Sequence, residues 1–494
     1  MIDITPQLAL RPELSTVIGN IDYTRFAAEL ARIEELLVMS GVEREFIERS
    51  AIQFIARGVT AGTAVNNMLL GRYKARSVVA LRSMILMGIL GEDFRGMSCR
   101  LAECQLFRHF CGLECLGPIR VPSKSTLQEY SQWLPKEEMR EVIGKLLRAA
   151  GEGKSALELA NDLELDRGWI DTTCVRANMH FPVDWVLLRD AVRTLMKATA
   201  LIRKHGLKSR MEEPQEFLKA MNRLCIEMTS RRRAKDAKRL RKQTLRRMKK
   251  VVKVVEAHAQ RHRDLLDKEW ASTDWTRKQA EAVLRRIDGV LELLPCAQKQ
   301  AHERIIGERQ VKNSEKILSL YEREAHVIVR GKAGAEVEFG NTVLLVEQVD
   351  GLLIDWEFYG EQAPADSELL QASVKRTEKS TGKLLKAAGT DRGFDSPENV
   401  TFLEEKGIFN GMCPRSPRVL RERMSDPVFA AIQKRRASTE ARIGIFKNVF
   451  LGRPMRAKGA LHRELAVAWR VLAHNLWVLA RLPKAQEQQI LLAA

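Results

Sequence analysis

The chain has 494 residues, of which 45% are hydrophobic and 29% charged, and its formal net charge is +19. That length exceeds one ordinary core, so two or three domains are expected. The cation excess points to a polyanionic partner, nucleic acid or an anionic membrane surface, and no repeat or low-complexity segment is present to suggest a solenoid or a disordered chain. The start, MIDITPQLAL, has no basic segment followed by an unbroken apolar run, so no secretory signal is expected. Eight cysteines in such a chain read as free thiols in a reducing compartment, the cytoplasm. The most apolar late stretch, Leu465 to Leu482, is interrupted by Arg470, His474 and Asn475 and reads as a packed helix, not a membrane span.

Taken in chain order, residues from about 22 to 150 show apolar positions at three- and four-residue spacings and predict short helices, with turns at Gly96, Gly112, Gly117 and Pro118. Ser123 or Ser125 would cap the helix in VPSKSTLQEY. This region, 1–150, is expected to be an N-terminal helical, DNA-binding domain of helix-turn-helix-like construction. In RGWIDTTCVRANMHFPVD the residues Trp169, Ile170, Thr172, Thr173 and Val175 predict a strand. That strand opens the core (151–185), and Asp184 is expected to cap the helix after it.

A basic helical stretch, 186–325, follows. Lys or Arg fills more than half of Arg231 to Val255, with Asp236 as the single acid. A solvated helix face is the plain account. A surface for phosphate backbones is the sharper one, with Arg231, Arg232, Arg233, Lys235, Lys238, Arg239, Arg241, Lys242, Arg246 and Arg247 as its candidates. Trp270 and Trp275 are expected to pack in a helical hairpin.

From His326 the character turns to β. Turns are expected at KAG, FGN and VDG of a meander, and Asp350-Gly351 is the strongest hairpin signal. A helix, the strand KAAGTD, a helix capped by Ser396 with Pro397 at its first position, the strand IFNGMC and a helix from about Ala430 to Phe450 complete the core (326–460), before a C-terminal helix and tail (461–494). Without the helical excursion this is an α+β or α/β arrangement: a mixed sheet flanked by helices, in the element order of an RNase H-like core.

Three acids hold distinctive positions in that order. Asp171 lies within the first strand, where an unpartnered carboxylate is costly. Asp391 ends the fourth core strand, where α/β sheets place ligand groups. Glu440 lies on the last core helix. Three such hard oxygen ligands suit two Mg²⁺ or Mn²⁺ ions. Arg436 and Lys447, four residues before and seven after Glu440, are expected on the same helix face. Arg436–Glu440 is then either an ordinary i,i+4 ion pair or part of a phosphate-holding group. Asp395 reads as a turn residue, and Asp355 as an acid supporting the others. Cys99, Cys104, His109, Cys111 and Cys115 are spaced too irregularly for a zinc site. Cys104 and Cys111 share a stripe with Phe107, as core residues would.

The spacing of Arg436, Glu440 and Lys447 resembles the Tyr-Arg-Glu-Lys signature of bacterial DDE insertion-sequence transposases of the insertion-sequence four/five-like group. IDTTCVRANMHFPVD, GTDRGFDSPEN and LHRELAVAWRVLAHNLWVLAR are similar to that group's first catalytic strand, second-Asp block and closing helix, and FRHFCGL and VPSKSTLQEY to its N-terminal domain. Gln433 stands where the signature has Tyr, and the 391–440 interval leaves no room for the large β-domain some relatives insert there. The resemblance implies Asp171, Asp391 and Glu440 as catalytic metal ligands, and Arg436 and Lys447 on the transposon-end backbone. It also implies cleavage at the ends of a mobile element, strand transfer into target DNA, a dimer or larger assembly on DNA, and a nucleoid-associated, membrane-free existence. The alternatives are a structure-selective RNase H-like nuclease and a transposase-derived DNA-binding protein without catalysis.

Overall fold

The computed structural model describes residues 12–60, 62, 66–230, 235–332, 335–452 and 454–485. It is a mixed α/β structure that divides into two compact units: Met1–Arg176 with Asn341–Ala494, and Ala177–Gly340.

The first unit begins with seven helices, α1 (Ile21–Met39), α2 (Val42–Thr60), α3 (Asn67–Leu90), α4 (Phe94–Glu103), α5 (Gln105–Phe110), α6 (Lys124–Tyr130) and α7 (Lys136–Gly151), which lead to β1 (Arg167–Arg176). Their starts follow local chemistry. Asn20, Asn66, Asp93 and Ser123 each accept a backbone N–H of the first turn through the side chain. Ser123, not Ser125, caps α6. Every residue of α3 from Ala80 to Gly88 is buried, and a helix buried all round must be covered on all sides. Accordingly the boundary expected at residue 150 does not separate two cores. Leu36, Phe46, Leu81 and Ile85 belong to one hydrophobic cluster with Val343, Leu345 and Trp356 of the sheet and with Leu472 and Leu476 near the C-terminus. Cys104 and Cys111 lie on or in this core, and burial pushes the Cys111 thiol up to about 12.

The second unit holds α8 (Asp184–Lys204), α9 (Pro214–Ser230), α10 (Ala237–Glu269), α11 (Arg277–Ala301), β2 (His326–Lys332) and the start of β3 (Ala335–Glu347). The helices close on their own core, which includes Leu195, Met221, Leu245, Val252 and Ile287, with Trp270 and Trp275 packed at its margin. Asp184 is not the cap of α8; Val183 occupies that position without a side-chain bond. The Asp184 carboxylate is instead buried, and it accepts from Arg304 (2.9 Å) and Gln300 (2.9 Å), tying the start of α8 to the end of α11. A charged pair there holds two distant segments together, which a helix cap would not.

The chain re-enters the first unit along β3, then forms β4 (Leu353–Phe358), α12 (Asp366–Thr381), β5 (Ala387–Thr390), α13 (Pro397–Glu405), β6 (Phe409–Met412), α14 (Pro417–Arg423), α15 (Pro427–Ile445) and α16 (Ala460–Ala480). The strands form one six-stranded sheet in the order β2-β3-β1-β5-β6, with β4 also on β3. β2–β3 and β3–β4 are antiparallel, and β1–β5 and β5–β6 are parallel. Phe339-Gly340-Asn341, expected as a turn, lies in the middle of β3. Asn341 is buried there, donating to the carbonyls of Tyr359 (3.0 Å) and Gly360 (3.2 Å) and accepting from Arg463 (2.9 Å). The Asp350-Gly351 turn forms as expected, with Gly351 at φ 103°. Ser396 caps α13 and Pro397 opens it. The α16 segment is a buried helix whose Asn475 exchanges two hydrogen bonds with the Leu353 backbone, and among the described residues no helix is long and apolar enough to cross a membrane.

Candidate active site at the carboxyl edge of the sheet

The register of β1 and β5 pairs Ile170 with Thr390. Asp171 is the next residue of β1, and Asp391 is the first residue past β5, where its side chain caps a 3-10 turn, so both acids follow paired positions of neighbouring parallel strands. They also share a sheet face. Trp169 and Ala387 pack with Ile432 of α15 on one face, while Ile170 and Ala388 join the main core on the other. Two residues on from Trp169 and four on from Ala387, alternation returns Asp171 and Asp391 to the α15 face.

The helix that covers this face lies close because glycine permits it. A Cβ at Gly389 or at Gly411 would come within 2.8 Å of Ile432 Cγ2. Trp169 Nε1 donates to the Ile432 carbonyl at 3.0 Å, and Arg435 stacks on the Trp169 ring at 5.1 Å. At the far end, Lys447, Leu451 and Gly452 line a small cavity with Cys174, Val175 and Arg176. Arg435 and Arg442, seven residues apart, both reach Glu347 (3.1 and 3.2 Å) and the Val349 carbonyl, so α15 does not run along β1.

Glu440 occupies one stripe of α15 with Gln433 and Arg436. Gln433 Nε2 donates to Gly411 O (2.6 Å) and approaches Thr390 O (3.5 Å), so the stripe turns toward the ends of β5 and β6. Gln433 thus fastens the helix beside the end of β5. Glu440 itself is half exposed and accepts from Arg436 at 3.2 Å. Among the described residues no three His, Cys, Asp or Glu side chains lie close enough together to hold a metal ion. Asp171 and Asp391 thus follow paired residues of β1 and β5, and Glu440 lies on the helix that packs on Trp169 and Ala387, short of a closed ligand cluster.

Lys447 is buried in the π-helical turn Phe446–Leu451 that follows α15, beside the end of β1. Asp355 does not join the acids either. It is buried on β4 and bound by Arg140 (2.8 Å) and Arg376 (2.9 Å), and burial holds its carboxyl above the usual range against the pull of those arginines. Asp395 accepts from the Arg415 backbone N–H at 2.9 Å, a loop-fixing role in keeping with its expected place in a turn.

One acid escaped the sequence reading. Asp366, the first residue of α12, accepts from Thr172 Oγ1 at 3.0 Å, and Thr172 N donates to Asp171 Oδ1 at 2.8 Å. Gly393 N donates to Asp391 Oδ1 at 2.9 Å. A Cβ on Gly393 would meet Asp366 Oδ2 at 2.7 Å and Asp391 Oδ1 at 3.1 Å, so the absent side chain keeps open the space between two carboxylates. The signal was present in DRGFDSP, a glycine two residues after the acid, but nothing local ties it to Asp366.

In the second unit, α10 buries Leu245, Met248, Val252, Val255 and Ala259 and turns its cations outward. Lys238 and Lys242 hold Glu308, lowering its carboxyl to about 2; Arg239 pairs with Asp236, Arg247 with Glu227, and Arg241 lies over Trp185 at 5.1 Å. Lys235 and Arg246 are exposed. Arg231, Arg232 and Arg233 lie outside the described residues. Comparison with protein-family models, curated proteins and solved structures gives no match for this chain.

Proposed function

We propose that this chain is a DDE-type transposase with an RNase H-like core, which cleaves DNA at the ends of its own element and joins those ends to target DNA. The observation that carries the reading is the position of Asp171 and Asp391 directly after the paired Ile170 and Thr390, beside the sheet face on which the helix that bears Glu440 packs. The strand order supports it: β4-β3-β1-β5-β6, with an antiparallel pair before the parallel ones, is the connectivity expected of such a core once β2 is set aside.

The donor chemistry suits Mg²⁺ or Mn²⁺: partly solvent-open carboxylate oxygens, with Gly393 leaving space between Asp391 and Asp366. Asp171, Asp391 and Glu440 would hold the ions, which, when bound, activate the attacking oxygen and stabilise the leaving one. Thr172 and the Gly393 amide fix the carboxylates through their hydrogen bonds, and Gln433 fixes the helix that carries Glu440. Arg436 neutralises Glu440 until a phosphate competes for the guanidinium; an exposed i,i+4 pair is worth only about 0.5 kcal/mol and yields readily. The α10 cations would hold DNA backbone, as their surface ion pairs are equally weak competitors. Two ends processed together call for a dimer or larger assembly on DNA.

The test is an assay of end cleavage and joining. Duplexes carrying the inverted repeats that flank the gene are incubated with the protein and Mg²⁺ or Mn²⁺, and strand-transfer products are resolved. Nicking at the 3′ ends and joining are both expected, and both should vanish in Asp171→Asn, Asp391→Asn and Glu440→Gln while DNA binding survives. Cutting without joining would make the protein a nuclease, and binding without cutting would leave it a DNA-binding protein.

A further inference from the structure

The segment between β6 and α15 is the least packed part of the first unit near the acids, and it is strongly basic. α14 has no buried residue. What holds it is Arg423, which donates to the carbonyls of Met412 and Asn410 and lies over the Phe429 ring at 4.1 Å. The other arginines are not needed for that purpose. Arg415 is exposed and rests on the carbonyls of Arg392 (3.3 Å) and Gly393 (3.5 Å), the residues directly after Asp391. Arg421 touches only the Pro417 carbonyl among the contacts of its side chain, and Arg418 pairs with Glu422 in an arrangement where the arginine is 85% exposed. Arg392 is exposed as well. These cations on solvent-facing backbone, anchored at one end to the turn that carries Asp391, are held only by exposed contacts and keep their charge available.

We propose that Arg392, Arg415, Arg418 and Arg421 form a rim that grips the phosphate backbone of the DNA strand led to Asp171 and Asp391. The proposal rests on the transposase reading for its choice of partner. A guanidinium row matches successive phosphates, because Arg offers planar paired donors to phosphate oxygens. An acidic protein or an anionic membrane would be bound by the same charges, but neither explains why the row starts at the turn of a catalytic-type acid.

The test uses the full chain in EDTA, so that no cleavage enters, with a fluorescent 40-base-pair duplex and a salt series. Each phosphate contact contributes about 0.9 to the slope of log affinity against log salt. Replacing Arg415, Arg418 and Arg421 together with Gln should lower that slope by about 2.7 and weaken binding at least tenfold at low salt, whereas the triple Lys variant should keep most of the slope. Unchanged slope and affinity in the Gln variant, or wild-type binding to phosphatidylserine vesicles but not to the duplex, overturns the proposal. Nicking in Mg²⁺ is scored separately. Loss of binding in the Gln variant with no nicking by the wild type would leave the rim standing and the transposase reading refuted; wild-type nicking with Gln-variant binding intact would do the reverse.

Discussion

Replacing Gly393 with Ala isolates the space between the acids. The added Cβ would sit 2.7 Å from Asp366 Oδ2 and 3.1 Å from Asp391 Oδ1. An ordinary carbon–oxygen contact is about 3.3 Å, so Asp366 must retreat by about 0.6 Å and Asp391 by about 0.2 Å. Gly393 is not among the residues with positive φ, so alanine meets no backbone strain there. The substitution even restricts the unfolded chain, a gain of about 0.4–1 kcal/mol. Global stability should therefore stay within about 1 kcal/mol of wild type, while a displacement of up to about 0.6 Å at a site that must be set within about 0.5 Å should lower nicking by about 10-fold. Thermal unfolding and Mg²⁺-dependent nicking are measured on the same preparation. Wild-type nicking by the alanine variant would refute the argument that this gap belongs to the reaction site, and a collapse in stability would show that Gly393 serves the fold.

Asp366→Asn keeps an acceptor for Thr172 but removes a charge beside Asp391. It should leave the melting temperature nearly unchanged and raise the Mg²⁺ needed for half-maximal nicking by about 10-fold; an unshifted Mg²⁺ titration would exclude Asp366 from the site. Arg140→Ala strips one of two cations from the buried Asp355 carboxylate and should cost about 3 kcal/mol in urea unfolding, partly recovered in the Arg140→Ala/Asp355→Asn double variant. A loss below 1 kcal/mol would mean the network is not held by this pair. His474 is buried among Phe446, Phe450 and Trp477, and burial lowers its imidazole to about 4, with Arg442 adding to the effect. Its folded pKa lies below the unfolded value of about 6.5, so the stability it contributes is complete above that value and is lost as pH falls toward 4, by up to about 3 kcal/mol. His474→Leu should flatten this part of the acid limb in denaturant unfolding, and an unchanged limb would assign the acid sensitivity to other groups.

The sequence alone carried whatever depends on neighbours along the chain. The Ser123 and Ser396 caps, the Asp350-Gly351 turn, the strand around Asp171 and the buried character of Leu465 to Leu482 were legible because a cap, a turn or an apolar run is a matter of a few adjacent residues. Asp171, Asp391 and Glu440 were legible as candidates by their positions in the element order. The tertiary structure decided what required residues far apart to meet. It moved Asp184 from a cap to a buried pair with Arg304, drew Phe339-Gly340-Asn341 into a strand because Asn341 found acceptors at Tyr359 and Gly360, and merged the N-terminal helices with the sheet. It buried Lys447 beside the end of β1, gave Gln433 two carbonyls at the ends of β5 and β6, and set Asp366 beside Asp391. Periodicity reports which way a side chain faces along its own element, but not which distant group waits there, and burial and hydrogen bonding at this site were settled by those distant groups.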